Sequence, residues 1–232
     1  MSIIETIKKE YFSLGKYERI FFPLVLLIII TVSVMTKDNK IALISSICGI
    51  SYTLLAGKGK IYCYFIGIIG TFCYSYLAFT NSFYGNFMLY FFYYLPMEII
   101  GIFKWKKHLK KNSADVVKTR LNNTERVIYS VITVIATMAF SAILVVLNDK
   151  NPYIDSFVTV LSITGMLLTV KRCIEQWYIW IIVNALTLVM WFNAYINGSN
   201  SLVLVFMWLT YLVLAFYFLK EWKKELIISA EQ

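Results

Sequence analysis

The stretch Phe83–Phe103, FYGNFMLYFFYYLPMEIIGIF, breaks at its end into Lys104-Trp105-Lys106-Lys107. Its 21 residues hold one charge, Glu98. At a rise of about 1.5 Å per residue, such a run crosses a hydrocarbon core of about 30 Å. No water at that depth can satisfy an open backbone, so the run has to be a helix. The lysines that follow mark the end that stays in water.

Seven further apolar runs flank it: Ile20–Thr36, Ile41–Gly57 and Ile61–Thr80 before, Val127–Leu147, Tyr153–Val170, Trp177–Ile196 and Leu202–Leu219 after. They predict an all-α integral membrane protein with eight transmembrane helices. Composition agrees: 59% of the 232 residues are hydrophobic and 15% charged, against about 45–50% and about 25% in ordinary globular domains. That balance excludes a disordered chain and a soluble domain of this size. The net charge of +9 does not point to nucleic acid, because the basic residues sort by side. Nineteen of the 22 Lys and Arg fall on the side of the N-terminus and 3 on the other, an alternation that one missed helix would scramble. Both termini and the basic loop Lys104–Arg126 are therefore expected in the cytoplasm, the loop solvated and facing anionic lipid.

Two parts of the chain share a layout. Each opens with an apolar helix ending in a short basic loop, Gly57-Lys58-Gly59-Lys60 or Lys171-Arg172-Cys173. An aromatic-rich helix and an uncharged turn follow, Asn81-Ser82-Phe83-Tyr84-Gly85 or Asn197-Gly198-Ser199-Asn200. Each part ends in Lys104-Trp105-Lys106-Lys107 or Glu221-Trp222-Lys223-Lys224, about 116 residues apart. Equivalent helices are four spans apart, so the two bundles keep the same orientation. This is a parallel 3+1+3 repeat, as in SWEET-type carriers, with sites expected between the repeats near mid-depth. The expected division is 1–40 for an N-terminal cytoplasmic segment and extra transmembrane helix, 41–111 for the first three-helix bundle, 112–150 for the basic loop and linker helix, 151–225 for the second bundle, and 226–232 for a cytoplasmic tail.

Candidate site residues cluster on two spans. At about 100° per residue, Trp177, Trp180, Asn184 and Trp191 fall within an arc of about 60°, with Thr187 at its border. Indoles and an amide on one stripe can stack a flat ring and bond its edge. An interfacial aromatic belt explains Trp177 and Trp191 equally well, but not the buried amide of Asn184. On the fourth span, which also carries Asn86, a stripe joins Tyr90, Tyr94, Met97 and Gly101. Glu98 borders that stripe, and Pro96 is expected to kink the helix. Tyr211 of the last span corresponds to Tyr94 under the repeat, so the two are expected to face a common space. Glu98 is the only acid well inside a span, which marks it as functional by default. Catalytic groups are scarce. His108, the single histidine, sits in the basic loop, and no metal cluster, nucleophile–base pair or phosphate loop is visible. Cys48, Cys63, Cys73 and Cys173 have no CxxC spacing and read as small apolar fillers. No enzyme and no cofactor are expected.

The stretch Glu175–Asn184, EQWYIWIIVN, resembles the signature helix of the PnuC family of bacterial nicotinamide riboside transporters. Tyr84–Gly101, with Tyr93-Tyr94-Leu95-Pro96-Met97-Glu98, resembles that family's other well-marked segment. The likeness runs from about residue 41 to 225. It implies a SWEET-like fold in the bacterial inner membrane and a homotrimer. It also implies facilitated diffusion of nicotinamide riboside, a form of vitamin B3 and an NAD precursor, which a cytoplasmic kinase then traps by phosphorylation. The family's Trp-x-x-x-Asn pair falls on Trp180 and Asn184, as ring-stacking and polar ligands. Gln176, Trp177, Tyr90, Tyr94, Tyr211 and Glu98 complete the expected substrate site. The chain departs from the family at Glu98, where Gln is expected. Polar ligand, counter-ion and structural carboxyl all stay open for it, and the likeness favours the first, with Glu98→Gln keeping most affinity. Related groups carry thiamine or riboflavin, and cationic thiamine would suit an acid. The alternative from another class, a substrate-binding subunit of an ATP-driven vitamin importer, usually has six spans and no such repeat.

Overall fold

The computed structural model describes residues 15–36, 39–80, 84–111, 113–147, 152–197 and 202–228. Parts of the turn at 37–40 and of the outer turns at 81–85 and 197–200, and the side chain of Asn86, lie outside the described residues. The helices are α1 (Lys16–Thr36), α2 (Lys40–Lys58), α3 (Cys63–Thr80), α4 (Tyr84–Met88), a π-helical segment Leu89–Tyr94, α5 (Leu95–Lys106), α6 (Asn123–Val146), α7 (Pro152–Val170), α8 (Gln176–Ile196) and α9 (Leu202–Ile228). The described residues contain no named strand, only three isolated β-bridges.

The eight apolar runs fall on eight helical rods, the fourth being α4, the π segment and α5 in series. Among the described residues, six helices are each long and apolar enough to cross a membrane: α1, α2, α3, α6, α7 and α9. Helix α8 is 21 residues long and carries Gln176, Asn184 and Asn193 among its apolar residues. The fourth rod is split by its π segment. Pro96 has no N–H to donate, and its ring would clash with a carbonyl one turn back. The preceding turn widens instead, and the Leu95 N–H reaches back to the Tyr90 carbonyl. A π segment thus precedes Pro96, a form frequent at functional sites.

In the N-terminal segment α3 packs on α2 and α5, and in the C-terminal segment α8 packs on α7 and α9. The segments meet reciprocally, α2 against α9 and α5 against α7. Helix α6 lies on α7 and buries only Ser141. Helix α1 is held at its base by Glu18, which is 3% exposed. Glu18 accepts from the Gly15 N–H (2.7 Å) and the Tyr217 hydroxyl (2.9 Å) and pairs with Lys58 (2.8 Å).

Two identical turns close the basic end. After α2 the Gly59 N–H bonds the Ala56 carbonyl (2.9 Å) and the Lys60 N–H bonds the Leu55 carbonyl (2.8 Å). After α7 the Arg172 N–H bonds Thr169 (2.9 Å) and the Cys173 N–H bonds Leu168 (3.0 Å). Both are helix C-caps through a left-handed residue, Gly59 at φ 75° and Arg172 at φ 64°. Glycine takes that conformation freely, whereas arginine is strained there. Beyond the turns each segment reaches into the other. The Trp105 indole N–H donates to the Thr169 carbonyl at 3.2 Å, and that of Trp222 to the Gly57 carbonyl at 2.6 Å. Each indole has an aromatic partner edge-on: Tyr64 to Trp105 at 5.0 Å, Trp177 to Trp222 at 5.7 Å.

The basic loop is bonded to the protein rather than merely solvated. Lys60 pairs with Asp115 (2.8 Å) and Lys110 with Glu225 (2.7 Å), and Lys118 also pairs with Glu225. Arg126 grips Glu175 through two nitrogens (2.9 and 3.1 Å). Asn122 and Glu125 form a capping box that starts α6 four residues before the apolar run. Lys118 is only 8% exposed and lies 4.9 Å over the Trp222 ring. Burial pushes its ammonium below the ordinary lysine value, and Glu225 offsets part of that shift.

Candidate functional site

The π segment changes which face of the fourth rod turns inward. An unbroken α-helix would leave Glu98 at the border of the Tyr90–Tyr94–Met97–Gly101 stripe. Past the widened turn, Glu98, Gly101 and Trp105 form the buried stripe of α5 instead. Glu98 is 4% exposed. Its Oε1 accepts from the Thr71 hydroxyl on α3 at 2.9 Å, while its Oε2 is buried without a partner. Gly67 on α3 permits this approach: a Cβ there would stand 2.8 Å from Glu98 Oε1 and 2.6 Å from the Tyr52 ring. Thr71 and Tyr52 are not evident from the spans alone. Superposing the sequence on itself through Gly59 and Arg172 would have found Thr71, because it places Thr71 opposite Asn184.

Tyr52, Tyr94, Met97 and Trp180 all pack on one cluster containing Tyr64, Trp105 and Met166. The Tyr52 hydroxyl lies 4.0 Å from Met166 Sδ, joining α2 to α7. Tyr90 sits between Tyr74, tilted against it at 4.3 Å, and Tyr94, edge-on at 4.7 Å. Tyr211 enters from α9, where a Cβ at Gly49 would stand 2.0 Å from its hydroxyl. The aromatic side chains of both segments thus converge at mid-depth.

The α8 stripe divides among three places. Trp177 belongs to the basic end, packed on Phe218 (5.4 Å) and Trp222, with its indole N–H unpaired. Gln176 is also at that end, 1% exposed, its amide donating to the Cys173 carbonyl at 3.0 Å. Trp191 packs toward the opposite end, with Val25, Ile29 and Trp208 among the core it covers. Trp180 sits between, its N–H donating to Thr169 Oγ1 at 3.1 Å. Asn184, one turn further, is 4% exposed, and no hydrogen bond joins its carboxamide to any described residue. Thr187 spends its hydroxyl on the Val183 carbonyl at 2.8 Å. The structure therefore gathers Trp180, Tyr94, Tyr90 and Glu98 with Tyr52 in the middle, and sets Gln176, Trp177 and Trp191 apart.

The open clefts lie elsewhere. One of about 240 Å³ is lined by Lys58, Lys60, Lys110, Lys118 and Glu225, another of about 550 Å³ by Lys104, His108, Arg120 and Arg172 with apolar neighbours. Both sit at the basic end. Among the described residues no group of three His, Cys, Asp or Glu could hold a metal ion.

Comparison with known proteins gives these groups a context. A family model described as nicotinamide mononucleotide transporter matches residues 39–224. The chain is 30% identical to the nicotinamide riboside transporter PnuC of Neisseria mucosa, covering 90% of this chain and 81% of that one. It is 28% identical to the protein of the same name from Haemophilus influenzae, covering 97% of both. A crystal structure of the vitamin B3 transporter PnuC superposes with a TM-score of 0.85 at 29% identity, covering 97% of each chain. With its apolar helices, this match makes the chain a multi-pass membrane protein of the nicotinamide mononucleotide transporter family, to which it belongs.

Proposed function

We propose that the chain carries nicotinamide riboside across the bacterial inner membrane by facilitated diffusion, down a gradient that a cytoplasmic kinase maintains by phosphorylating the arriving substrate. The observation that carries this reading is Asn184, a buried carboxamide with no protein partner, one turn from the indole of Trp180. Asn184 is 4% exposed, and a flat ring stacked on Trp180 with a polar edge toward Asn184 would give the amide a hydrogen-bond partner. Tyr90, Tyr94, Tyr211 and Glu98 line the rest of the site, and Gln176 and Trp177 close it toward the basic end. Every described Lys, Arg and His lies in a loop, near a helix end or, for Lys220, Lys223 and Lys224, in the last third of α9, so a phosphate at mid-depth would have no cation. That favours the riboside over its mononucleotide.

The reading includes eight transmembrane helices with both termini cytoplasmic, divided as two parallel SWEET-like bundles at 41–111 and 151–225 around a linker helix. Its support is the recurrence of the C-cap at Gly59 and Arg172 and of the indole-to-carbonyl bond at Trp105 and Trp222, with the reciprocal packing of α2 on α9 and α5 on α7. The apolar surface of α6, including Val127, Val131, Ile135 and Met138, suits lipid and the neighbouring copies of a homotrimer. Binding of nicotinamide riboside, its mononucleotide, thiamine and riboflavin to purified protein tests the assignment. Only the riboside should bind tightly, and preferential binding of thiamine or riboflavin would replace it with another vitamin.

A further inference from the structure

We propose that the Thr71–Glu98 pair is a charge-selecting wall of the central site, which distinguishes a pyridinium nucleoside from the same nucleoside with a neutral dihydropyridine ring. This rests on the carrier reading and names the ligand class of that same site. An ionised carboxylate has about four lone-pair positions to fill. Glu98 has one filled, by Thr71, and its Oε2 is buried without a partner. The groups packed around it offer no cation. On α3 they are Gly67 and Thr71 and on α2 Tyr52, while the nearest turns of its own rod contribute Tyr94 and Met97. The position that corresponds to Glu98 in the C-terminal segment, counted from Trp105 and Trp222, is Ala215, so the site has one acid and no second carboxylate to share a proton with.

A single hydroxyl offsets only part of what a buried carboxylate loses on leaving water. The missing partner is a positive charge that arrives with the ligand. A ring bearing a fixed charge would lie against the Trp180 indole, whose face attracts cations, and present its charge to Glu98. The neutral dihydropyridine has nearly the same outline and brings no charge. This departs from the affinity-neutral Glu98→Gln that the family likeness suggests.

The test compares oxidised and reduced nicotinamide riboside by calorimetric titration of the purified full chain, in wild type, Glu98→Gln and Trp180→Leu. Wild type should bind the oxidised form at least tenfold more tightly, about 1.4 kcal/mol. Glu98→Gln should bring the ratio below about threefold, chiefly by weakening the oxidised form. Equal affinities in wild type overturn the inference while leaving the carrier reading intact. Failure of wild type to bind the oxidised form overturns both. A tenfold ratio that persists in Glu98→Gln also overturns it, assigning the preference to the indole. Should Glu98→Gln not fold, Trp180→Leu decides: a retained ratio there supports the carboxylate, a lost one overturns it.

Discussion

At the basic end, helices α2–α5 and α7–α9 do the same thing twice. Tyr64 meets Trp105 as Trp177 meets Trp222, and each tryptophan bonds a backbone carbonyl of the other segment. Two turns deeper the likeness stops. Gly67 corresponds to Trp180, Thr71 to Asn184 and Glu98 to Ala215. One segment presents an acid already bonded to a hydroxyl, the other an indole and an unbonded amide. Indole-to-carbonyl bonds tie the backbones of the two segments together, so both halves need them. Side chains at mid-depth serve a ligand that is itself asymmetric, with a ring at one end and a sugar at the other, and there the halves are free to differ.

The largest expected effect tests the shared part. Trp105→Ala and Trp222→Ala each remove a fully buried indole and should each cost about 3–5 kcal/mol, read as lost thermal stability in detergent. Similar costs would support equivalence. Trp222 has Lys118 above its ring, so its loss should cost about 0.5–1 kcal/mol more. A gap several times larger would break the comparison.

Next comes Gly67→Ala. The methyl group meets the Glu98 carboxylate and the Tyr52 ring, so overpacking should cost about 1–3 kcal/mol. The matching position in the other segment holds a tryptophan, so there bulk is part of the structure. If Gly67→Ala were as stable as wild type with unchanged ligand affinity, the tight contact on Glu98 would have no importance.

Asn184→Leu separates function from stability. It removes a buried amide that bonds nothing in the protein, so thermal stability should hold or rise slightly, while affinity for nicotinamide riboside should fall by about 1–3 kcal/mol. Thr71→Val, at the matching position, should instead lower stability, because it strips Glu98 of its one donor. If the two variants behaved alike, the proposed division of labour between the segments would fail.

Much of this arrangement was legible in the sequence because it follows from burial and length. Apolar runs of membrane-spanning length gave the helices, and the tryptophans before the lysines mark the indoles that bond across the basic end. The inward face of α5 was not legible, because a π segment precedes Pro96, and one extra residue in that turn moved Glu98 from the border of a stripe to its centre. The roles of Trp177 and Trp180 were hidden for another reason. A helical wheel puts both on one side, and only the approach of Phe218 and Trp222 from α9 separates the indole that packs there from the one that bonds Thr169 on α7. The basic loop looked like solvated charge because its acids, Asp115 and Glu225, lie in different parts of the chain from the lysines they pair with.

That loop supplies the smallest and most directional prediction. Glu225→Gln leaves Lys118, 8% exposed, without its carboxylate. Because Glu225 is about one-third exposed and water screens the pair, the cost at neutral pH should be about 1 kcal/mol. Its pH dependence follows from Lys118, whose ammonium burial already holds below the ordinary lysine value. Without Glu225 that value falls further. Between the lowered folded value and the unfolded one of about 10.4, the unfolded chain binds more protons than the folded one, so stability rises with pH. The deficit of Glu225→Gln relative to wild type should therefore be greatest at neutral pH and shrink as pH climbs toward 10, where Lys118 is no longer a buried charge. Thermal unfolding of both proteins from pH 7 to 10 measures it. A deficit that grows with pH would mean that Glu225 supports the basic end through its pairing with the exposed Lys110, and that Lys118 gains nothing from it.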